Sequence, residues 1–495
     1  MASQQQLDHA VNQLEQLWAN PNARNGLFGN TLKGVRVAAV RGMNVAVEFS
    51  WPVTAIAGTN GSGKTTLLQL CSSAYQKVGG GGRYYKIGDW VRSAIGTETP
   101  AVGEGSSLQF SFWDDSPTFS IPYQRERTRW GYPRRNNPER NVVFVGIANF
   151  APRIERKDRV HVFRSQIAIR ESQELPNEHL RSISTILGVT YEEGHINTVG
   201  LDNGTWEERL PQIKRGDYVY GEPHMGAGEQ KVIRLVRELE EVPPRSLILL
   251  EEPEITLHPD AQKGLAWYLM SLARRQGHQI VIATHSSDLF EALPVAARLL
   301  LVRRRDGVQT VAGAPHIAAA RELARVFRAN KDLILVEDQI GKAFLEEILR
   351  RFARQLSENC VIAPVGNVND VRRMVAAFRG EGVRAVGVRD PDKPGDDQQG
   401  LFALPGQVAP ERLLLERDNL EHAEELIDGA IDAFDRARAA GVGKEGSVWA
   451  KAVFQALAHE LGLSRELLAD RLTAAWLRHH IEDARQLAVA IQQAL

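Results

Sequence analysis

The chain has 495 residues, 43% of them hydrophobic and 24% charged, which is enough for about three soluble domains with sizeable cores. The formal net charge of −1 excludes a bulk electrostatic attraction to nucleic acid or to a membrane surface, so any such contact must come from a local patch. Two distant cysteines, Cys71 and Cys360, no apolar stretch of membrane-spanning length and no signal-peptide pattern together favour a cytoplasmic protein without a membrane partner.

A helical period at residues 7–19 and apolar alternation at residues 32–49 lead to a phosphate-binding loop, GTNGSGKT, at residues 58–65. An apolar run precedes this loop and a helical pattern follows it, which is the context that the motif needs. Its glycines let backbone N–H groups approach phosphates, and the helix points its positive end at the anion. Lys64 can reach the β- and γ-phosphates, and the Thr65 hydroxyl can ligate Mg²⁺. We therefore expect nucleotide contacts from six residues: Asn60, Gly61, Gly63, Lys64, Thr65 and Thr66.

Strand-like patterns dominate residues 106–170, after a flexible run of four glycines at residues 79–82. Within them, a basic stretch at residues 123–140 interleaves arginines with Trp130 and Tyr132. Arginines beside aromatic rings can grip phosphates and stack on bases, which makes nucleic acid one candidate partner. The stretch could equally be a solvated strand face or a site for adenine or a partner protein. Its arginines are Arg125, Arg127, Arg129, Arg134, Arg135 and Arg140.

A pair of glycines precedes the helical run at residues 229–239, within the segment MGAGEQ at residues 225–230, which we name the signature turn. Glycines at a helix N-terminus can form an anion cradle, although the same pattern can be only a cap or a turn. We mark Gly226, Gly228 and Glu229 as candidate nucleotide contacts.

Two carboxylates, Glu251 and Glu252, follow a short apolar strand at residues 246–250. The chemistry of phosphoryl transfer explains their order. The first carboxylate can hold Mg²⁺ or its water, and the second can polarise the water that attacks the γ-phosphate. We therefore predict Glu251 as a metal ligand and Glu252 as the catalytic base.

A helix and a further buried strand come next. Pro259 opens the helix, Gly277 can close it, and the strand covers residues 279–283. His285 follows that strand, and polar residues at the carboxyl edge of a parallel sheet face the ligand crevice, so we expect His285 at the γ-phosphate. The alternation of buried strands with helices predicts an α/β sheet that is mostly parallel at its centre.

A second βα pattern begins near residue 331 and places carboxylates after two of its strands. Glu337 follows the first strand, and Asp390 and Asp392 follow the third. Carboxylates that converge on one edge of a parallel sheet suit Mg²⁺ or Mn²⁺, although ordinary acidic loops would look the same. From about residue 417 to its end the chain is helical.

Residues 30–305 resemble the ABC-type ATPase head, because the phosphate loop, the signature turn, the carboxylate pair and His285 occur in that order. They look most like the branch of the SMC, RecF and OLD (overcoming lysogenization defect) proteins. In that family two heads sandwich two ATP molecules, so the resemblance implies that the signature turn acts on the γ-phosphate bound to the partner head. The chain departs from the wider family at Glu251, where Asp is usual, and at Gly226, where Ser is usual. The phrases that carry the likeness are LEEPE (250–254), LHP (257–259) and ATHS (283–286).

Residues 331–416 resemble the TOPRIM domain of topoisomerases, primases and OLD nucleases, which has Glu after its first strand and Asp-x-Asp after its third. The resemblance implies metal-dependent phosphodiester chemistry. Glu337 would be an acid/base or a ligand, and Asp390 and Asp392 would be metal ligands.

The chain departs from the OLD pattern beside Glu337. OLD proteins typically have Gly and Asp where this chain has Asp338 and Gly341, so one ligand candidate is lost and an acidic neighbour is gained. Asp338 can take over the missing role, or the domain is an inactive scaffold. Lys393 could stabilise a pentavalent phosphate.

These resemblances predict the fold class, the domains and the partners. We expect an α/β protein with an ABC-type P-loop ATPase head at residues 1–325, including an insertion around residues 80–220. A smaller TOPRIM-like α/β domain would cover residues 331–416, and a C-terminal helical region residues 417–495. The expected cofactors are ATP and Mg²⁺, with Mn²⁺ as an option at the TOPRIM-like site. The expected partners are a second copy or a higher oligomer through the heads, nucleic acid, and an effector protein.

Two functions stay open. The first is an OLD-like ATPase whose head dimerisation controls a metal-dependent nuclease, which the family links to bacterial anti-phage defence or DNA processing. The alternative is an ATPase scaffold or sensor with a degenerate TOPRIM domain that holds or regulates a separate effector protein. DNA repair of the RecF kind lacks support in the bulk charge, and a transporter subunit would leave the second domain unexplained.

Overall fold

A computed structural model describes the chain at residues 2–92, 101–113, 116–133, 138–147, 167–201, 206–303, 307–314, 331–380, 383–392 and 395–495. The chain divides into two compact units, Met1–Gly313 and Ala314–Leu495. Residues 315–330, where the sequence predicts the end of the head, lie outside the described part, so the predicted domain boundaries stay predictions. None of the helices in the described segments has the length and hydropathy that a membrane span requires.

The first unit is built from helices and three sheets. Its described α-helices are α1 (Gln4–Ala19), α2 (Pro21–Phe28), α3 (Lys64–Cys71), α4 (Ile87–Trp90), α5 (Asn177–Leu187), α6 (Ala227–Glu240), α7 (Pro259–Gln276) and α8 (Ser287–Ala292). Its described strands are β1 (Leu32–Val40), β2 (Met43–Glu48), β3 (Val53–Gly58), β4 (Val102–Phe112), β5 (Phe119–Gln124), β6 (Arg129–Trp130), β7 (Val142–Val145), β8 (Ile167–Glu174), β9 (Glu193–Leu201), β10 (Glu207–Arg215), β11 (Tyr218–Gly221), β12 (Leu247–Glu251), β13 (Gln279–Ala283), β14 (Arg298–Arg303) and β15 (Val308–Ala312).

The central sheet of this unit has the strand order β15-β14-β3-β13-β12-β7. Strands β14, β3, β13, β12 and β7 pair in parallel, and only the edge strand β15 is antiparallel to its neighbour. Strands β3 and β13 are buried along their whole length, as parallel strands covered on both faces should be. This confirms the predicted α/β sheet with a parallel centre.

Two antiparallel sheets complete the first unit. One has the order β2-β1-β4-β5-β6, and the other is a meander of β11-β10-β9-β8. Side chains from the first of these sheets, from α3 and from the central sheet share one buried core that includes Phe110, Leu67 and Leu249. The helix that follows the phosphate loop is therefore packed into the core of the unit.

The helix after the carboxylate pair forms as its terminal residues predict. Helix α7 begins at Pro259, which has no N–H to lose at the first turn, and ends before Gly277 at φ +68°. Strand β13 follows directly and covers the predicted residues 279–283. The ends of β12 and β13 therefore lie side by side, which places Glu251 opposite Ala283.

The second unit holds one parallel sheet with the strand order β17-β16-β18-β19. One hydrophobic core runs from this sheet through to the last helix, from Ile334 to Ile491, so the C-terminal helices pack on the same core as the sheet. Its described strands are β16 (Asp332–Val336), β17 (Cys360–Pro364), β18 (Ala385–Arg389) and β19 (Leu401–Ala403). Its described α-helices are α9 (Gln339–Phe352), α10 (Arg354–Asn359), α11 (Val368–Gly380), α12 (Pro410–Leu414), α13 (Arg417–Ala423), α14 (Ala430–Ala437), α15 (Gly446–Glu460), α16 (Arg465–Trp476) and α17 (Ile481–Ala494).

A buried histidine makes the stability of the first unit depend on pH. His278 is 0% exposed, and its Nδ1 accepts a hydrogen bond from the Ser246 N–H at 3.1 Å. Burial, reinforced by Arg140 and Arg275, lowers the pKa of His278 from 6.5 to about 4. Between these two values the unfolded chain binds more protons than the folded one, so the free energy of unfolding falls as the pH falls, by up to about 3 kcal/mol in total.

A His278→Asn variant should remove this part of the acid sensitivity. The Asn carbonyl can still accept the Ser246 N–H, but it does not titrate. Denaturant unfolding near pH 7.5 and near pH 5 measures the effect. Wild-type protein should lose about 2 kcal/mol more than the variant between these two conditions. An equal loss in both proteins would show that His278 is not the group responsible.

Candidate functional site

The phosphate loop connects β3 to α3, and two of its glycines have no workable replacement. A Cβ on Gly58 would lie 2.3 Å from the Leu301 carbonyl oxygen. Gly63 has φ +101°, a conformation that side chains disfavour, and a Cβ there would lie 2.8 Å from Met43 Sδ. The glycine pattern therefore reflects backbone that turns tightly between the sheet and the N-terminus of α3.

Lys64 and Thr65 begin α3 and point back toward the ends of the strands. The Lys64 Nζ donates to the carbonyl oxygens of Gly58 at 3.0 Å and Thr59 at 3.3 Å. Burial lowers the pKa of Lys64, and the charges of Glu252 and Glu254 oppose that shift. The Thr65 hydroxyl donates to Glu251 Oε1. A hydroxyl paired with a strand-end carboxylate suits the Mg²⁺ that accompanies a nucleoside triphosphate.

An open cavity of about 470 Å³ lies over the loop, which is large enough for a nucleotide. It brings together all six predicted contacts of the phosphate loop with Glu252 and His285. We name it the ATP cavity. Sequence reasoning missed three of its lining residues, which have no motif of their own: Arg41 in the turn after β1, Met43 at the start of β2 and Arg303 at the end of β14.

Glu252 lies at the end of β12 in a conformation that is unusual for a residue other than glycine. Its φ is +47°, and its N–H donates to the Ala283 carbonyl oxygen at 2.8 Å. His285 Nε2 lies 3.5 Å from Glu252 Oε1, and both side chains are partly accessible at the cavity wall. Such strained backbone, held by a neighbouring strand, is common at catalytic positions. A carboxylate and an imidazole at this spacing can both contact one water molecule that lies beside them.

The signature turn lies where α6 begins. Gly226 is the N-cap of α6, and Gly228 packs against the Thr256 carbonyl oxygen. Glu229 Oε1 accepts hydrogen bonds from the hydroxyls of Tyr191 at 2.5 Å and Tyr220 at 2.8 Å. Among the described residues that line the ATP cavity, none belongs to this turn.

The two tyrosines bind the signature turn to the meander sheet, through Tyr220, and to the connection between α5 and β9, through Tyr191. Burial and the hydrogen bond to Glu229 raise the pKa of Tyr191, so its hydroxyl stays a donor at neutral pH. Tyr220 lies on β11, and its pKa is raised by burial and by the same carboxylate. Sequence reasoning did not find either tyrosine, because their separation from Glu229 along the chain follows no local pattern.

The second unit brings carboxylates together at the carboxyl edge of its sheet, around the end of β18. The Asp390 N–H donates to Glu337 Oε1 at 3.1 Å. Burial, followed by the charges of Glu337, Asp338, Glu411 and Asp392, raises the pKa of Asp390 to about 7. Carboxylates that are concentrated in one place attract a cation. We name Glu337, Asp338, Asp390 and Asp392 the acidic edge.

The two departures from the OLD pattern have clear structural roles. Asp338 Oδ1 accepts from the N–H groups of Ile340 at 3.0 Å and Gly341 at 2.9 Å, so Asp338 is the N-cap of α9. A Cβ on Gly341 would lie 4.0 Å from Asp390 Oδ1, so a longer side chain at this position would reach the acidic edge.

Two residues beyond the predicted TOPRIM motif also lie at the acidic edge. Lys451 on α15 has its Nζ 4.0 Å from Asp338 Oδ2 and 4.0 Å from Glu411 Oε1. Glu411 is 4% exposed, and burial raises its pKa. Across the described segments, no group of three or more His, Cys, Asp or Glu side chains has the arrangement of a metal site. The ligand set Glu337, Asp390 and Asp392 therefore stays a prediction, and Lys393 lies outside the described residues.

Part of the basic stretch is buried in the core of the head. Arg140 is 3% exposed and donates to four backbone carbonyls, those of Phe28, Asn30, Ser246 and Gly277. Trp130 is also buried, and Tyr132 accepts the Ile87 N–H at 2.6 Å. Arg140 and Trp130 are thus unavailable to a nucleic acid, which removes these two residues from the candidate contacts of the basic stretch. Arg125 and Arg129 are exposed, whereas Arg134 and Arg135 lie outside the described residues.

A family model described as an AAA ATPase domain (AAA_15) matches residues 166–290, which include the signature turn, Glu251, Glu252 and His285. No relative is found among curated proteins. The chain is similar in structure to the SMC head domain from Thermotoga maritima, at 16% identity and a TM-score of 0.36, covering 57% of this chain and 98% of that one. It is also similar to the Smc head with an extended coiled coil from Pyrococcus furiosus, at 12% identity and a TM-score of 0.36, covering 60% and 100%.

A third similar structure is the ATP-binding cassette MJ0796 in a dimeric post-hydrolysis state with ADP and Pi, at 13% identity and a TM-score of 0.28, covering 57% and 97%. At these identities and TM-scores we draw no functional conclusion from the structural neighbours. The family match and the geometry of the ATP cavity define the class of protein: the chain is a P-loop ATPase, and its Thr65–Glu251 pair suits the Mg²⁺ that accompanies ATP.

Proposed function

We propose that this ATPase is of the OLD type, in which ATP joins two heads and the joined heads control a metal-dependent nuclease in the second unit. The observation that carries the first part is the separation between the ATP cavity and the signature turn. The cavity contains the phosphate loop, Glu252 and His285, but its described lining includes no residue of that turn. A signature turn that contacts nucleotide at all would then have to contact the nucleotide of another head.

The surroundings of the signature turn support a role at an interface. A Cβ on Gly226 would meet no described atom within 4 Å, and its φ of −63° suits any residue. Gly226 makes no side-chain cap hydrogen bond among the described residues, so the N–H groups that begin α6 can donate to an anion from outside the head. The tyrosines that hold Glu229 fix the orientation of this surface.

A Gly226→Glu variant should separate binding in the same head from contact with the partner head. The monomer has room for the new side chain, and a carboxylate at a helix N-terminus favours the helix. The variant should therefore bind ATP normally, yet the new charge would oppose the γ-phosphate of the partner. We expect ATP-dependent dimerisation to disappear and turnover to fall by about 10²-fold or more.

Sedimentation with and without ATP and a steady-state ATPase assay measure these effects. Gly26→Glu is the matched control, since Gly26 also has open space around its Cα but lies on α2. Dimerisation and turnover that survive in Gly226→Glu would rule out the role of the signature turn at the partner's nucleotide.

The acidic edge supports the second part of the proposal. Glu337 accepts a hydrogen bond from the Asp390 backbone, and several negative charges surround Asp390. A divalent cation bound there would reduce the repulsion between these carboxylates. A metal bound there would activate water and stabilise the leaving oxygen of a phosphodiester. The residues of this chain would contribute ligands from Glu337, Asp390 and Asp392, and Lys451 could offset charge on the substrate side. Nucleic acid would be the substrate, in anti-phage defence or DNA processing.

The alternative function also has support from particular residues. Asp338 is engaged as a helix cap, and Gly341 supplies no carboxylate. These two features favour a degenerate TOPRIM domain on an ATPase scaffold that holds or regulates a separate effector protein. Cleavage assays on the acidic edge, described in the Discussion, decide between the two.

A further inference from the structure

Glu254 is a buried carboxylate beside the ATP cavity that the phosphoryl-transfer chemistry above does not use. It follows Glu252 and Pro253 on the loop after β12 and is 6% exposed. Its Oε1 accepts the Thr284 hydroxyl at 2.6 Å and the His285 N–H at 2.9 Å. One oxygen therefore joins the loop after β12 to the loop after β13.

We infer that Glu254 is a positioning residue for ATP hydrolysis, because it fixes the main chain of His285 against Glu252. His285 Nε2 and Glu252 Oε1 lie 3.5 Å apart, and they approach each other from two different loops. The Glu254 carboxylate is the bridge between those loops at the position of His285 itself. A shift of a reacting group by about 1 Å can lower the reaction rate by about 10²-fold, so loss of this bridge should slow ATP turnover.

The charges around Glu254 explain how the head keeps a carboxylate in its interior. Lys231 on α6 is 3% exposed, and its Nζ donates to the carbonyl oxygens of Glu252 at 3.3 Å and Ile255 at 2.8 Å. Lys231 and Lys64 both interact favourably with the Glu254 charge. A buried carboxylate needs such cations, since the loss of its hydration would otherwise destabilise the fold.

The loop after β12 is thus held on both sides. Lys231 fixes the carbonyl of Glu252, whose backbone has φ +47°, and Glu254 fixes Thr284 and His285. The second oxygen of Glu254, Oε2, has no hydrogen-bond partner among the described residues. The bridge therefore depends on Oε1. A substitution that keeps an oxygen at this position but removes the negative charge can separate the effect of the two hydrogen bonds on turnover from the effect of the charge.

Three variants test the inference in the full-length protein. Glu254→Ala removes the bridge, and we expect kcat for ATP to fall by about 10²-fold with KM little changed. Glu254→Gln keeps an acceptor at Oε1, so its kcat should fall by less than about tenfold. Glu241→Ala is the matched control, because Glu241 is an exposed carboxylate near the end of α6.

Thr284 provides a second route to the same bridge. Thr284→Val removes the hydroxyl that donates to Glu254, and Thr284→Ser restores it. We expect slow turnover in the first variant and recovery in the second. Thermal unfolding of each variant shows whether the fold is kept, and the comparison between valine and serine stays informative if Glu254→Ala does not fold.

A double-mutant cycle identifies the residue through which Glu254 acts. If Glu254 acts by positioning His285, adding Glu254→Ala to His285→Ala should slow turnover by no more than about twofold beyond the slower single variant. Effects that multiply fully would overturn the inference, as would a Glu254→Gln variant as slow as Glu254→Ala. A KM that rises while kcat stays unchanged would also overturn it, because it would place Glu254 in nucleotide binding.

Discussion

Replacing Glu252 with glutamine is expected to lower ATP turnover by about 10²- to 10⁴-fold, the contribution typical of a general base. The amide cannot take a proton from the attacking water, yet it has the same shape and can keep the contact to His285. We expect binding of ATP to depend on the phosphate loop and on the Thr65–Glu251 pair, which the substitution leaves in place. The dissociation constant for ATP should therefore stay close to that of the wild type.

Stopped-flow hydrolysis and equilibrium binding of a fluorescent ATP analogue measure the two quantities separately. Glu241→Gln makes the same chemical change at an exposed position and should behave as wild type. Turnover at the wild-type rate in Glu252→Gln would reject Glu252 as the base.

Glu337→Ala is expected to abolish metal-dependent cleavage of nucleic acid. Glu337 lies at the end of β16 and accepts the Asp390 N–H, so its loss removes both a candidate ligand and a contact that orders the acidic edge. Removing a ligand or an acid/base from a metal-dependent hydrolase costs about 10²-fold or more in rate. Single-stranded and double-stranded DNA and RNA with Mg²⁺ or Mn²⁺ are the substrates to compare.

Glu358→Ala is the control for the second unit, because Glu358 is exposed and its carboxylate forms a surface ion pair with Arg354. Cleavage that persists in Glu337→Ala would point to another site or to a contaminant. If the wild type cuts none of the polymers and a second protein co-purifies with it, the scaffold function replaces the nuclease.

Gly341→Asp offers a gain of function at the same site. The new carboxylate would arise in the first turn of α9, near Asp390 Oδ1, where the OLD pattern has its Asp. We expect tighter Mn²⁺ binding by at least about tenfold, since each added hard oxygen ligand strengthens such sites. Calorimetric titration with Mn²⁺ measures this, and unchanged or weaker binding would argue against metal at the acidic edge.

Local patterns predicted the parts of the fold whose causes are local. The strand at residues 279–283 was visible as a buried apolar run, and α7 was visible from Pro259 and Gly277. The phosphate loop was visible from the pattern of its glycines, lysine and threonine at residues 58–65, although the closest atoms that exclude a Cβ at Gly58 and Gly63 belong to Leu301 and Met43, far along the chain. The strand and the helix, by contrast, need no knowledge of distant neighbours.

Contacts between distant segments were not predictable in this way. A basic stretch predicts exposed arginines, yet Arg140 is buried and donates to backbone carbonyls from three separate parts of the chain. Glu229 reads as a nucleotide contact, and its tyrosine partners come from the meander sheet and the α5–β9 connection. Lys451 lies far along the chain from the acidic edge that it approaches. Such pairings follow from how the elements pack.

The mass of the Glu252→Gln protein in solution, measured with and without ATP and Mg²⁺, tests most directly whether ATP joins two heads. Blocked hydrolysis should preserve the ATP-bound state, so the mass should double relative to the nucleotide-free protein, whose chain is 55.0 kDa. Adding Gly226→Glu to the same protein should prevent the doubling. A variant that binds ATP fully and keeps the same mass would contradict the pairing of heads through ATP.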